Sequence, residues 1–162
     1  MPGVIPMIDL PPVARALDEL HIPYRLFVHA GPIHSLEQAA RERNQQPDQV
    51  IRSIVFRVGK DEFVMVLMAG DRQISWPLLR RYLGQSRLTM ATEAEVRSAT
   101  GYERGAVAPF GLPQPMRILA DESVFVPDEV SLGSGVRGTA VIMTSLDLRR
   151  ALGNVELVTL KD

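Results

Sequence analysis

Two glycine-rich segments carry the residue types from which a binding or acyl-transfer site could be built. The first is Thr100-Gly101-Tyr102-Glu103-Arg104-Gly105-Ala106-Val107-Ala108-Pro109-Phe110-Gly111. Glycine lets a ligand come close to the main chain, and Pro109 fixes the exit direction while removing a donor. Such a segment can present backbone N–H groups, although the same composition also suits a loop that ends a helix. The second is Gly133-Ser134-Gly135-Val136-Arg137-Gly138. Its N–H groups and Arg137 could meet an anion or a carbonyl oxygen; a plain tight turn reads the same way. It is no Gly-x-Ser-x-Gly elbow, because a glycine is out of place and strands flank it on both sides.

A cation could complete such a site. Arg52 shares a strand face with Val50, Ile54, Phe56 and Val58, since residues two apart point the same way. An arginine ending an apolar row is either a rim residue with its stem on apolar surface or a guanidinium aimed into a pocket. In a pocket, phosphate or carboxylate suits its fork. His29, at a strand end, is either a pocket residue or a packed imidazole. His21 lies at a helix end, and His29 and His34 bracket Gly31-Pro32 too irregularly for a metal pair, so no metal is expected. Asp71 and Asp121 follow apolar strands, where turn-forming aspartates are common. With no cysteine in the chain, thiolate nucleophiles and disulfides are excluded. No Gly-x-Gly-x-x-Gly follows the first strand and no Walker-type loop occurs, so nucleotide-binding templates find no support.

The elements that must position these residues are legible in outline. Pro11-Pro12 followed by Val13, Ala16, Leu17 and Leu20 predicts a first helix, and Tyr24 to Val28 a strand. Ser35 with Gln38 caps a helix to about Arg43. Val50 to Val58 and Glu62 to Ala69 flank Gly59-Lys60-Asp61 as a hairpin, whose second arm is apolar on both faces and therefore central. Ser75 caps a helix to Leu83, and Thr92 with Glu95 caps one that ends at Gly101. Arg117 to Leu119, Ser123 to Val126, Val130 to Leu132 and Thr139 to Met143 read as short strands. Ser145 caps a helix to Leu152, and Val155 to Leu160 closes as a strand. Hairpins among interleaved strands and helices give an α/β fold with a mixed, curved sheet, a partial barrel surrounded by helices.

Composition bounds the rest. The chain has 162 residues, 46% apolar and 23% charged, which fits one soluble domain over 1–162. No apolar run approaches the length of a membrane span, and Met1 to Met7 has no secretory pattern; a reducing cytoplasm is expected. A net charge of −1 argues against gripping nucleic acid through overall charge, so any RNA contact is local, weak or shared with a partner. Arg80-Arg81 with Arg87, and Arg149-Arg150, are the basic clusters, read as solvated helix faces.

Several pieces occur in the order seen in one family. They are Tyr24…His29, Leu36-Glu37-Gln38-Ala39-Ala40, the strand from Ile51, Ala69-Gly70-Asp71, Thr100-Gly101-Tyr102, Gly105-x-x-x-Pro109-Phe110-Gly111, Asp121 and Gly133-Ser134-Gly135-x-Arg137-Gly138. From about Ala14 to Leu152 the chain resembles the YbaK/prolyl-tRNA-synthetase-associated domain. The resemblance implies a compact α/β domain that hydrolyses the ester joining a wrong small amino acid to the 3′-terminal adenosine of tRNA, typically alanine or cysteine on proline tRNA. It implies a freestanding deacylase without cofactor, metal or membrane, whose partners are the tRNA acceptor end and possibly a synthetase. The family uses no protein nucleophile; water, or a cysteine substrate's own thiol, attacks.

On this resemblance Gly105, with Ala106, Val107 and Pro109, orients the aminoacyl group and the adenosine. Ser134 and Gly135 close the other side, and His29, Asp71 and Gly101 are further binding candidates. Arg52 stands where the family has a lysine that contacts the tRNA end. Arginine is longer, planar and bidentate, so the exchange either keeps the contact or converts the domain to a binding module or synthetase regulator without turnover.

Overall fold

The computed structural model describes residues 10–161, so the reading of Met1–Met7 lies outside it. Helix α1, Pro12–Glu19, starts on prolines and buries Val13, Ala14 and Leu17. Strand β1, Arg25–Val28, follows, then α2, Leu36–Glu42, whose N-cap Ser35 accepts from the Gln38 N–H. The hairpin is β2, Ile51–Gly59, and β3, Glu62–Ala69. Next come α3, Trp76–Leu83; β4, Thr89–Met90; and α4, Glu93–Thr100. The second half supplies β5, Arg117–Asp121; β6, Glu129–Gly133; β7, Thr139–Thr144; α5, Ser145–Leu152; and β8, Glu156–Val158.

The strands form two sheets, β1-β7-β6 and β4-β2-β3-β5-β8. β3 pairs antiparallel with β2 and parallel with β5, which makes the large sheet mixed. Both faces of β3 are buried, as its unbroken apolar run requires. Its Met65 and Leu67 pack with Ile51 and Val55 into the core shared with the small sheet. Val64, Val66 and Met68 face the other way, onto Phe56, Leu79 and Leu160. Each such fully buried side chain contributes on the order of 2 kcal/mol. The sheets touch through a parallel bridge between Val50 and Ser131 and then diverge, leaving an open, partial barrel.

Two local readings need correction, and one strand was not anticipated. Ser123–Val126 is no strand; Glu122–Phe125 is a 3-10 turn. The Asp121 carboxylate accepts from the Ser123 N–H and the Leu160 N–H, and this capping overrides the β propensity of Val-Phe-Val. The N-cap of α5 is Thr144, not Ser145, because Thr144 Oγ1 accepts from the Asp147 N–H. Strand β4 has no sequence signal of its own and exists by pairing Met90 with Phe56 and Thr89 with Arg57.

Candidate active site

The cavity lies where the two sheets part. Val50 bridges to Ser131 at one end of β2, and Phe56 pairs with Met90 further along; between them β2 has no neighbouring strand on this side. The Val50 carbonyl accepts from Gly70 across the β3 edge, whereas the Val55 carbonyl accepts from Ala91 on the opposite edge. Alternation along the strand therefore turns the Ser53 peptide group to the open side. Ser53 lines the cavity, and its buried Oγ has no hydrogen-bond partner among the described residues. The cavity volume is about 850 Å³.

One wall is main chain. Gly105, at φ +94°, and Val107 line the cavity. Neither N–H makes a hydrogen bond among the described residues, while the Ala106 N–H between them is spent on the Glu103 carbonyl. The second glycine loop packs directly behind: the Gly135 N–H donates to the Ala106 carbonyl at 3.1 Å. Arg137 Nη2 and Nε donate to the Arg104 carbonyl at 2.9 and 3.2 Å. A Cβ on Gly133 would lie 2.8 Å from the Val107 carbonyl oxygen, so this approach needs glycine.

The opposite wall is side chain. Ser35, Leu36, Ala39 and Arg43 share one face of the α2 segment and reach the cavity. The His29 side chain, 1% exposed, sits behind them. Arg43 Nε donates to His29 Nε2 at 3.1 Å, which leaves the hydrogen on Nδ1 to be donated to Glu42 Oε1 at 2.8 Å. Arg43 Nη1 donates to Ser131 Oγ at 2.9 Å, and Ser131 in turn donates to Gln45. Burial pushes the Arg43 guanidinium down to about 10, against the raising influence of Glu42. Hydrogen bonds from His29 and then Gln38 hold the Glu42 carboxyl below its ordinary value.

Arg52 lines the cavity but does not reach freely into it. Its Nε donates to the Gly70 carbonyl at 2.6 Å and its Nη2 to the Arg72 carbonyl. Burial lowers its pKa, opposed by the charge of Asp71. Arg52 thus ties down the turn after β3 while standing at the wall. With Arg43, Arg104 and Arg137, four arginines among the described residues line the cavity, and no described aspartate or glutamate does. Four of the 18 lysines and arginines of a near-neutral chain line this cavity, a charge that suits an anionic ligand. Among the described residues no cluster of three His, Asp or Glu comes together, and no helix is long and apolar enough to cross a membrane.

A profile of the aminoacyl-tRNA editing domain matches residues 30–151. The chain belongs to the aminoacyl-tRNA editing domain family. Among curated relatives, the proline–tRNA ligase of Aquifex aeolicus is 30% identical over 98 residues, which is 60% of this chain and 17% of that enzyme. That of Brachyspira hyodysenteriae is 30% identical over 110 residues, 68% of this chain and 18% of the enzyme. The chain therefore spans less than a fifth of those ligases. A solved structure described as a proposed trans-editing enzyme for prolyl tRNA synthetase superposes with TM-score 0.83 at 26% identity, covering 93% of this chain and 95% of its own. A protein described only as hypothetical superposes with TM-score 0.84 at 18% identity over 93% and 99%, which speaks for the fold alone.

Within this editing domain the sequence-nominated residues divide. Arg52, His29, Gly105 and Val107 line the cavity. Ala106, Pro109, Ser134 and Gly135 do not; Ala106, Pro109 and Ser134 are buried behind it, and the Gly135–Ala106 hydrogen bond holds the two loops together. Gly101 ends α4 in a left-handed conformation, and Asp71 is an exposed turn residue outside the cavity. Sequence reasoning missed Arg43, Ser53 and the convergence of four arginines on one cavity. Arg43 looked like the polar end of α2, and only its partners Ser131 and His29 reveal its direction.

Proposed function

We propose that this editing domain hydrolyses the ester between a mischarged amino acid and the 3′-terminal adenosine of a tRNA. The observation that carries the reading is a cavity that, among the described residues, has four arginines and no carboxylate beside two amides without a hydrogen-bond partner, Gly105 and Val107. The ester carbonyl would lie against those amides. Water adds to its carbon, the oxygen takes the negative charge, and the amides stabilise that charge without reorganising. The ribose oxygen then leaves with a proton from solvent. The cavity needs no protein nucleophile for this, and the chain offers no cysteine. Arg104 and Arg137 would hold trailing phosphates, with Arg52 closer to the terminal nucleotide. Alanine or cysteine on proline tRNA, with a prolyl-tRNA synthetase as partner, is the pairing the family resemblance suggests.

The test is release of free amino acid from a panel of mischarged tRNAs. Release no faster than in buffer for every member removes the enzyme reading. A second reading, binding without turnover, is favoured by the His29 ring: both nitrogens are engaged, so the one imidazole at the cavity is not available as a base. Tight binding of an amide-linked aminoacyl-adenosine with no ester cleavage would select it.

A further inference from the structure

Strand β2 has an opening about one peptide unit wide. Its edge toward the small sheet is closed at one end by the parallel bridge from Val50 to Ser131. At the other end the Ala91 N–H donates to the Val55 carbonyl at 3.0 Å. Ser53 lies between those closures and lines the cavity. It stands opposite Leu67 of β3, and the Gly70 N–H bond to the Val50 carbonyl makes this a wide pair, so the Ser53 N–H and C=O both turn away from β3. Among the described residues no strand pairs with Ser53 on the side they face. The Ser53 hydroxyl is buried and also has no hydrogen-bond partner among the described residues. Ile51 and Val55 on either side are both 4% exposed, so this edge lies inside the protein rather than at its surface. A main-chain donor and acceptor set side by side in the interior and left without a strand to pair with mark a place for a ligand.

The width of the gap selects the ligand. An added strand needs a run of main-chain partners, whereas a nucleobase edge carries one donor beside one acceptor. Adenine sets its exocyclic N6–H beside a ring nitrogen, N1 or N7, and so answers the Ser53 C=O and N–H together. We infer that the Ser53 peptide group is the subsite that reads the 3′-terminal adenine of the tRNA. The inference rests on the deacylase reading and adds to it how the terminal base is recognised. Gly133, two residues past the Ser131 bridge, packs so closely on Val107 that a Cβ there would lie 2.8 Å from the Val107 carbonyl oxygen. The amide wall therefore borders the same gap between β2 and β6. With the base at Ser53 and the ester at Gly105 and Val107, one aminoacyl-adenosine spans the site. The cavity of about 850 Å³ is of the size that holds small organic ligands. Ile33, Leu36 and Leu132 line it and can cover the faces of the ring. Once the ribose fixes the base, the order of donor and acceptor discriminates. Hypoxanthine puts the acceptor O6 where adenine has its amino group, so that two acceptors would face each other with no hydrogen between them, and such a mismatch is rejected.

The experiment varies the ligand, because a main-chain group has no side-chain substitution. The whole protein is titrated with 3′-alanylamido nucleosides, whose amide resists hydrolysis, bearing adenine, N6-dimethyladenine, unsubstituted purine or hypoxanthine. Calorimetry gives the affinities, and nitrogen-15 NMR follows the Ser53 amide. The adenine compound should bind about ten-fold or more tightly than the other three, the scale of one buried hydrogen bond left unmade. It should also move the Ser53 amide proton downfield and slow its exchange with solvent, and the hypoxanthine compound should do neither. Equal affinities, no binding of the adenine compound, or an adenine preference that leaves the Ser53 amide unmoved overturns the inference and leaves the deacylase reading intact. A Ser53 shift caused by N-acetyl-dialanine methylamide and by none of the nucleosides overturns it in favour of an extended peptide. Adenine-selective binding at Ser53 with no ester cleaved across the mischarged tRNA panel supports the subsite and overturns the deacylase reading instead.

Discussion

The two walls of the cavity are built on opposite plans. The glycine wall is main chain, and its shape follows from positions where a side chain has no room or no accessible backbone angle. The α2 wall is a chain of side chains, Glu42–His29–Arg43–Ser131–Gln45, in which each member is aimed by the next. The first wall should tolerate no substitution at its packed glycines and be indifferent to charge. The second should tolerate substitution structurally and change its ligand preference.

The sharpest way to break that contrast is to substitute the glycines unequally. Gly135, at φ +91°, would place a Cβ 2.8 Å from the Tyr102 ring and 3.2 Å from Pro12. Gly105, at φ +94°, has only Arg137 Nε near, at 3.9 Å. Gly135→Ala should cost about 2–4 kcal/mol, strain plus overpacking, and Gly105→Ala about 1 kcal/mol, strain alone. Urea denaturation of the two variants reads the difference. Equal losses would mean that the loops are not wedged together as the Gly135–Ala106 hydrogen bond requires.

The same contrast explains what the sequence revealed. Gly105 was legible as a cavity residue, and Gly135 as a position that needs glycine although it packs behind the lining, because glycine is the residue whose absence of a side chain has few other uses. β3 was legible as a central strand because its Val-Met-Val-Leu-Met run leaves no face for water. The arginine cavity was not legible, since Arg43, Arg52, Arg104 and Arg137 come from four separated segments and no composition window contains them together. Arg52 was placed on the right row of β2, but nothing local foretold that Gly70 and Arg72 would engage its guanidinium. Asp71, a further binding candidate on the resemblance and a turn-forming aspartate on its residues alone, is an exposed turn residue whose charge acts on Arg52.

Asp121 supplies a control away from both walls. It is fully buried and absent from the cavity lining. Burial raises its pKa, but hydrogen bonds from Ser123 and Leu160 outweigh that, and the net shift is downward. A carboxylate depressed in the folded state contributes stability that is complete above its unfolded pKa and is lost as pH falls through the folded one. Asp121→Asn should therefore cost about 1–3 kcal/mol at neutral pH and flatten the loss of stability on acidification. Thermal melts from neutral to acid pH check both. A variant whose acid limb parallels wild type removes Asp121 from the acid response. The cavity should keep its ligand preference, since neither wall contains this residue.

The smallest effect is expected at the rim. Arg137 donates to the Arg104 carbonyl on the glycine side, lies 3.9 Å from the site of a Gly105 Cβ, and is largely exposed. Replacing Arg104 and Arg137 with alanine removes two cations that reach solvent, where each surface ion pair contributes little to stability. Melting should hardly move. Binding of an uncharged-ester tRNA should weaken alike for every sequence, and the slope of log affinity against log salt should fall by about 1 per arginine in phosphate contact. A slope unchanged in the double variant would show that the tRNA end bypasses the rim. The path by which a phosphate chain delivers its ester to Gly105 would then have to run over the α2 wall instead.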